Sequence, residues 1–454
     1  MKPNIILINC DDLGYGDLGC YGSTVNATPH IDRLAAEGTR LTDFYMASPV
    51  CSPSRCAMMT GCYPPRIGCA SFDGGWVLFP GAATGLNPEE KTVARQLKDL
   101  GYATALVGKW HCGDQPAFLP TRHGFDHYYG LPYSNDMGMM HVRSDCKVPL
   151  PLMRDDTVIQ EQPDQTGLTE RYVEESIRFI REHQTKPFFL YLAHMHVHLP
   201  LLVSERFMKD SANGPYGGAV ACIDWAMGAL MAELQRLGLD DNTLIVFTSD
   251  NGSRGDNGGS NAPLRGIKGR AWEGGMRLPC IVRWPGQVPA GRVSSSITSA
   301  IDFLPTFLAL AGGRADRSKT IDGLDHSAHW LGRETEGPRD TFFYYVSEDL
   351  YAVRQGLWKY FARLPDTKPE NQHEALFNLD DDIGETTDRL ADHPEVAGRL
   401  RGLMEECRRA LGDASRGVTG TECRPNGRVE NPVTLTAYDP DHPYMIAMYD
   451  GKAG

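Results

Sequence analysis

Nothing in this chain reads as built to cross a membrane, grip nucleic acid or hold zinc through paired cysteines. No apolar stretch approaches the ~18 residues of a membrane helix, so no membrane partner is expected. No basic run stands out. With 45 Lys+Arg against 58 Asp+Glu the formal charge is -13, and nucleic acid is not an expected partner. Acidity does not exclude an anionic substrate, because a pocket needs only local cations. The 12 cysteines include no Cys-x-x-Cys pair of zinc spacing, and in a reducing compartment most are expected as free thiols in or near the core. Repeats and low-complexity segments are absent. Lys2 and Pro3 lead straight into a short apolar run without a cleavage site. A cytoplasmic location is therefore expected, unless a leader has been removed.

What is present is an alternation of buried strands and helices over 454 residues. Asn4 to Cys10 is a continuous apolar run of the kind found in parallel sheets. Tyr102 to Val107, Pro187 to Ala193 and Thr243 to Thr248 repeat the pattern. A strand is also expected around Leu41 to Phe44. Helices are expected from Thr28-Pro29 to Gly38, Thr92 to Leu100, Leu168 to His183 and Tyr216 to Leu237. This is the pattern of a doubly wound, mostly parallel α/β sheet flanked by helices. From about Pro338 the texture changes to short antiparallel strands, at Thr341 to Val346, Leu350 to Phe361 and Glu374 to Leu379, and a helix from Pro394 to Leu411. The expected division is a catalytic α/β domain over 1–337 and a smaller C-terminal α+β subdomain over 338–454, with an extended tail after Ser415.

Each expected strand delivers polar residues at its carboxyl end, the edge where open α/β sheets bind ligands. The first ends in Asp11-Asp12, the second in Lys109-Trp110-His111, the third in His194 to Pro200 and the fourth in Asp250-Asn251. Adjacent carboxylates at the end of a buried strand are costly without a counter-charge, and their oxygens suit calcium or magnesium. Taken singly, these segments also fit solvated turns, and Asn251-Gly252 is a strong turn dipeptide. The His194, His196, His198 alternation leaves open a zinc site.

The segment Cys51-Ser52-Pro53-Ser54-Arg55 reads as a loop entering a helix, with Pro53 suited to the first helical position. Cys51 then lies just before a helix N-terminus, where N–H groups and the dipole favour negative charge. Arg55 returns one turn later beside it. Alone, this also fits a buried thiol beside a surface arginine.

Cys51-x-Pro53-x-Arg55, followed by Thr60-Gly61, resembles the signature of the type I sulfatases. The likeness extends through Pro3 to Asp17, Gly101 to Gly113, Gly124 to Ser134, Thr248 to Gly252, Lys268 to Pro279, Ile301 to Thr306 and Ile321 to Gly323. These segments resemble sulfatases of the arylsulfatase A and N-acetylgalactosamine-6-sulfatase type. The resemblance implies an alkaline phosphatase-like fold and a sulfatase that hydrolyses a sulfate monoester, of a sugar or an aryl alcohol. It implies conversion of Cys51 to formylglycine by a formylglycine-generating or an anaerobic sulfatase-maturating enzyme. The metal site carries over to Asp11, Asp12, Asp250 and Asn251, an all-oxygen set that favours Ca2+ over Mg2+.

By the same resemblance Lys109 binds substrate and the aldehyde hydrate, and His111 is the base that removes a proton from the hydrate's second hydroxyl. Arg55, Lys109 and Lys268 stabilise the sulfate oxygens as their charge grows; His198 touches the ester oxygen and Lys268 binds sulfate, and either can protonate the leaving oxygen. Ser134 is a weaker carry-over to sulfate binding. Residues two apart on an extended segment face one way, which would bring Lys109 and His111 to the same pocket. Cys112 stands where relatives often have leucine, a difference without consequence if Cys112 faces the core. Glu273-Gly274-Gly275 is expected as a supporting turn, and His194 and His196 as structural. Asp73, Trp76, Asp136 and His141 are candidates for shaping the substrate pocket. The alternatives are a phosphonate monoester or phosphodiester hydrolase with the same aldehyde and metal, and a sulfate-ester binder whose Cys51 is never oxidised.

Overall fold

The computed structural model describes residues 2–139, 148–368, 371–442 and 444. An 11-stranded mixed sheet carries the site. Its spatial order is Arg292–Ser294, Thr39–Tyr45, Arg277–Arg283, Thr243–Ser249, Asn4–Cys10, Phe188–Ala193, Ala103–Gly108, His127–Gly130, Pro151–Arg154 and Thr157–Glu161, with Thr298–Ser299 also on Thr39–Tyr45. The five strands from Thr243–Ser249 to His127–Gly130 run parallel, and antiparallel strands flank them on both sides. Strand Asn4–Cys10 shows why the middle is apolar throughout. Ile5 and Leu7 enter one core, Ile6 and Ile8 the other, so successive side chains are buried on opposite faces. Each such side chain contributes on the order of 1.5–3 kcal/mol by leaving water.

Register brings the carboxyl ends level. Asn9 lies opposite both Ala193 and Thr248, Cys10 opposite Ser249, and Gly108 opposite Ala193. The residues that follow, Asp11, Lys109, His194 and Asp250, therefore leave the sheet at one edge.

The expected helices are present at Pro29–Ala36, Val93–Asp99, Leu168–Glu182 and Gly214–Arg236. The last corrects the reading that no segment is long and apolar enough for a membrane. By length and composition this helix is, but 72% of its apolar window is buried inside the protein, against the helices Pro29–Ala36 and Leu168–Glu182.

A second sheet of four antiparallel strands, Thr341–Val346, Asp349–Gln355, Trp358–Phe361 and Ala375–Asn378, packs under the helix Pro394–Leu411. It shares a core with Tyr45, Ala57 and Trp272 of the main sheet's side. Between the sheets lies a buried polar knot. Glu273 accepts hydrogen bonds from Tyr45 (2.5 Å), Tyr344 (2.7 Å) and Lys359 (2.9 Å), and Lys359 also pairs with Glu385 at 2.8 Å.

The tail runs back over the large domain. Arg424 donates its backbone N–H to Arg66 O (2.7 Å) and pairs with Glu90 at 2.8 Å. Gly427–Arg428 forms a two-stranded ribbon with Thr84–Gly85, and Arg428 pairs with Asp73. Val433 and Gln115 exchange two hydrogen bonds. The 72–85 loop is thereby held by residues more than 340 positions later in the chain.

Candidate active site

Cys51 is the first residue of the helix Cys51–Thr60, not the residue before it. Val50 is its cap and Pro53 falls at the third position, which still needs no intrahelical donor. Gly61 ends the helix in the left-handed conformation (φ 68°). The helix N-terminus points its free N–H groups at the end of the central strands, an anion-binding arrangement. Cys51 Sγ stands 3.5 Å from Asp11 Oδ1 and 3.5 Å from Lys268 Nζ. Burial pushes the thiol well up, although Lys109 and Lys268 pull the other way. Left as cysteine, the side chain is a neutral thiol and a poor nucleophile.

Arg55 is fully buried and passes the cysteine to grip Asp250 (Nη2–Oδ2 2.8 Å), with Asp11 at 3.8 Å and a further bond to the Lys109 carbonyl at 3.0 Å. A buried guanidinium needs such partners. These contacts hold it behind the Asp250 and Asp11 carboxylates.

Lys109 Nζ pairs with Asp11 and donates to Ser134 Oγ at 3.2 Å. Lys268 Nζ pairs with Asp12 Oδ1 at 2.6 Å. Both lysines are thus delivered to residue 51 on carboxylates. Burial would raise the Asp11 carboxyl, but Lys109, His198, Arg55 and Lys268 together hold it well below the usual range. Asp250 behaves oppositely: burial and the neighbouring Asp11 push it to about 6.

The extended Lys109-x-His111 alternation is corrected. The strand stops at Gly108 (φ 112°), and His111 itself is left-handed at φ 60°. The turn nevertheless aims both side chains inward. His111 Nε2 bonds the Leu78 carbonyl at 2.9 Å, while Nδ1 has no hydrogen-bond partner among the described residues. A carbonyl only accepts, so Nε2 carries the proton and Nδ1 the lone pair. Burial and Lys109 hold this imidazole well below its ordinary pKa, hence neutral. Leu78 is held in turn by Ser52, whose Oγ accepts its N–H at 3.1 Å.

His198 lies with Asp11, Asp12 and Cys51 in a group whose ligand atoms fall within 4.8 Å of one another. Its Nδ1 donates to the Leu199 carbonyl at 2.7 Å, and Nε2 faces Asp12 at 3.8 Å. The three histidines do not converge. Burial depresses His194 to about 3 and His196 to about 4, and neither joins a ligand group among the described residues. Cys112 is fully buried in the core.

The donor set fits a hard cation. Asp12 Oδ2 and Asn251 Oδ1 are buried oxygens with no hydrogen-bond partner among the described residues, a costly arrangement unless something electropositive faces them. Asn251 Nδ2 donates to Asp12 Oδ1 at 2.7 Å, and Asp250 Oδ1 accepts from the Asp12 N–H at 3.2 Å. Asp12 itself is held at φ 63°, an uncommon conformation for a non-glycine residue.

Two features escaped sequence reasoning. Asp136 was only a pocket candidate. Burial acts to raise its carboxyl, but His198, Ser134, Lys109 and Lys268 outweigh that and hold it below the usual range, which places it inside the charged centre. Glu273 is the hub between the two sheets, and no local pattern signals partners as distant as Lys359. Trp76 and Asp73 lie on the 72–85 loop, whereas His141 lies outside the described residues.

With this geometry in view, the chain can be set beside known proteins. A family model described as Sulfatase matches residues 3–313. Arylsulfatase A of Bos taurus is 40% identical over 436 residues, covering 87% of this chain and 85% of the relative. N-acetylgalactosamine-6-sulfatase of Canis lupus familiaris is 40% identical over 376 residues, covering 79% and 71%. Among solved structures, the crystal structure of Ps i-CgsB in complex with k-i-k-neocarrahexaose superposes with a TM-score of 0.80 at 33% identity, covering 90% of this chain and 93% of that one.

Proposed function

This chain belongs to the sulfatase family and is a sulfuric ester hydrolase, and we propose that its nucleophile is the hydrate of a formylglycine made from Cys51. The observation that carries this reading is the placement of residue 51 at a helix N-terminus beside Lys268 and within the field of the buried Lys109, both paired with the Asp11-Asp12 carboxylates.

One hydroxyl of the hydrate gives its proton to the Asp11 carboxylate, whose Oδ1 stands 3.5 Å from the Sγ of residue 51, as its oxygen attacks sulfur and the ester S–O bond breaks. The leaving alcohol takes its proton from His198 or Lys268. Lys109 and Lys268 stabilise the sulfate oxygens as their charge grows. His111 Nδ1 then accepts the proton of the second hydroxyl, the C–O bond to sulfate breaks and the aldehyde returns, ready for water to add again. A serine in this position would leave a sulfate ester that only attack at sulfur could clear.

Asp11, Asp12, Asp250 and Asn251 would hold calcium, which supplies Lewis-acid polarisation at the sulfate when bound. Arg55 orients Asp250 and Asp11 from behind. The substrate is a sulfate monoester of a sugar or of an aryl alcohol; relatives of both kinds are named among the similar proteins. Because the thiol cannot become an aldehyde without an external oxidant, a formylglycine-generating or anaerobic maturating enzyme is the required partner.

The test is a mass spectrum of the tryptic peptide Leu41 to Arg55 from a host with maturation activity, paired with a sulfate-release assay. Conversion lowers the peptide mass by about 18 Da. Unmodified cysteine in protein that still releases sulfate would overturn the nucleophile assignment.

A further inference from the structure

We propose that Trp76, Ile267 and the Arg254–Asp256 pair form a platform for the pyranose ring of a sulfated saccharide, which makes the leaving group a sugar rather than an aryl alcohol; this rests on the sulfatase reading above. A cavity of 340 Å³ lies beside residue 51, lined by Val50, Trp76, Arg254, Asp256, Ile267 and Lys268. That is at the small end of the roughly 300–1,000 Å³ typical of ligand sites. Its orientation is fixed by its members. Val50 directly precedes the nucleophile position, and Lys268 reaches both Cys51 Sγ at 3.5 Å and Asp12 at 2.6 Å. The rest of the cavity therefore receives whatever the sulfate is attached to.

Its chemistry is two-sided. Trp76 is 49% exposed and Ile267 42%, an apolar pair at the rim of a charged centre. Trp76 stands close to Gly269, where an added Cβ would come within 3.2 Å of the indole. The same cavity is lined by Arg254, paired with Asp256 at 2.9 Å, both exposed. The C–H face of a pyranose carries slight positive charge and lies well on the electron-rich face of an indole. Its hydroxyl edge meets a guanidinium and a carboxylate, which form charge-assisted hydrogen bonds. An aryl ring offers no hydroxyls to that pair.

The experiment compares kcat and KM of matured wild type, W76A, W76F and R254Q. The esters are 4-nitrophenyl sulfate, galactose 6-sulfate, N-acetylgalactosamine 4-sulfate and N-acetylglucosamine 6-sulfate. The wild type is expected to turn over at least one sugar sulfate. On it W76A and R254Q should each raise KM at least fivefold more than on the aryl ester, with W76F recovering most of the W76A loss. Equal effects on both classes, no effect, or a wild type that cleaves only the aryl ester would overturn the platform and leave the sulfatase reading standing. No sulfate release from any ester by matured protein would overturn both.

Discussion

His111 has one nitrogen committed and one free. Because Nε2 is spent on Leu78 O, only Nδ1 can take a proton, and a neutral ring is ready to do so. H111A should therefore stop the second half of the reaction rather than the first. Incubated with 4-nitrophenyl sulfate, it should release about one nitrophenolate per enzyme and then stall. Intact-mass measurement should show the added sulfate; turnover that falls with no trapped adduct would remove His111 from this role. At this scale Lys109, His198 and the Asp11-Asp12 and Asp250-Asn251 pairs are chemically conspicuous types following strand ends, whereas Cys51 at a helix start and Lys268 in a loop are picked out by the family resemblance. The sequence was uninformative about pairing. That Arg55 serves Asp250 rather than the cysteine depends on a contact between residues 195 positions apart, and no spacing rule reaches so far.

Elements place these residues through close backbone approach. Gly108 ends its strand at φ 112°, and a Cβ there would sit 1.8 Å from the Ala193 carbonyl oxygen. No flexible group can yield at that point, and the conformation is itself unfavourable for an L side chain. G108A should destabilise the protein by about 2 kcal/mol or more. It should also shift Lys109 and His111 together, cutting kcat on every substrate alike. Thermal melting and kinetics on two esters check this. The buried strands at Asn4–Cys10, Ala103–Gly108, Phe188–Ala193 and Thr243–Ser249 were readable from their apolar runs to within a residue or two, whereas Arg277–Arg283 and His127–Gly130 were not read as strands. The left-handed turns at Asp12 and His111 were not, because nothing in either residue type announces them.

The junction of the two sheets predicts a pH effect. Burial and the neighbouring Glu273 raise the Glu385 carboxyl from 4.5 to about 7, against the pull of Lys359. The folded state thus holds a proton that the unfolded chain gives up near 4.5. This contribution to stability is fully present below about 4.5 and is lost as pH rises through about 7. E385Q is permanently neutral. The melting temperature of the wild type minus that of E385Q should fall between pH 5 and pH 8, and a flat difference would show that Glu385 does not titrate in this window.

The whole molecule adds the tail. Its bonds to Arg66, Glu90, Thr84, Asp73 and Gln115 brace the loop that carries Trp76 and Leu78. Deleting residues 424–454 should leave the two sheets folded and make the 72–85 loop the first site of limited proteolysis. Small misplacements of a catalytic group are expensive, so kcat/KM should fall on the order of tenfold or more. Composition marked the tail as extended, but its route was illegible, since it buries little apolar surface and is held by scattered polar contacts.

That route separates having the parts from having the machine. Every side chain assigned to the chemistry lies at or before residue 268, while the bonds that tie down the ends of the 72–85 loop come from after residue 423. A chain clipped between those points keeps the whole recognisable signature and would pass any inspection by motif. What it loses is the outer hold on the loop that carries Leu78, so that Ser52 alone is left to keep that carbonyl against His111.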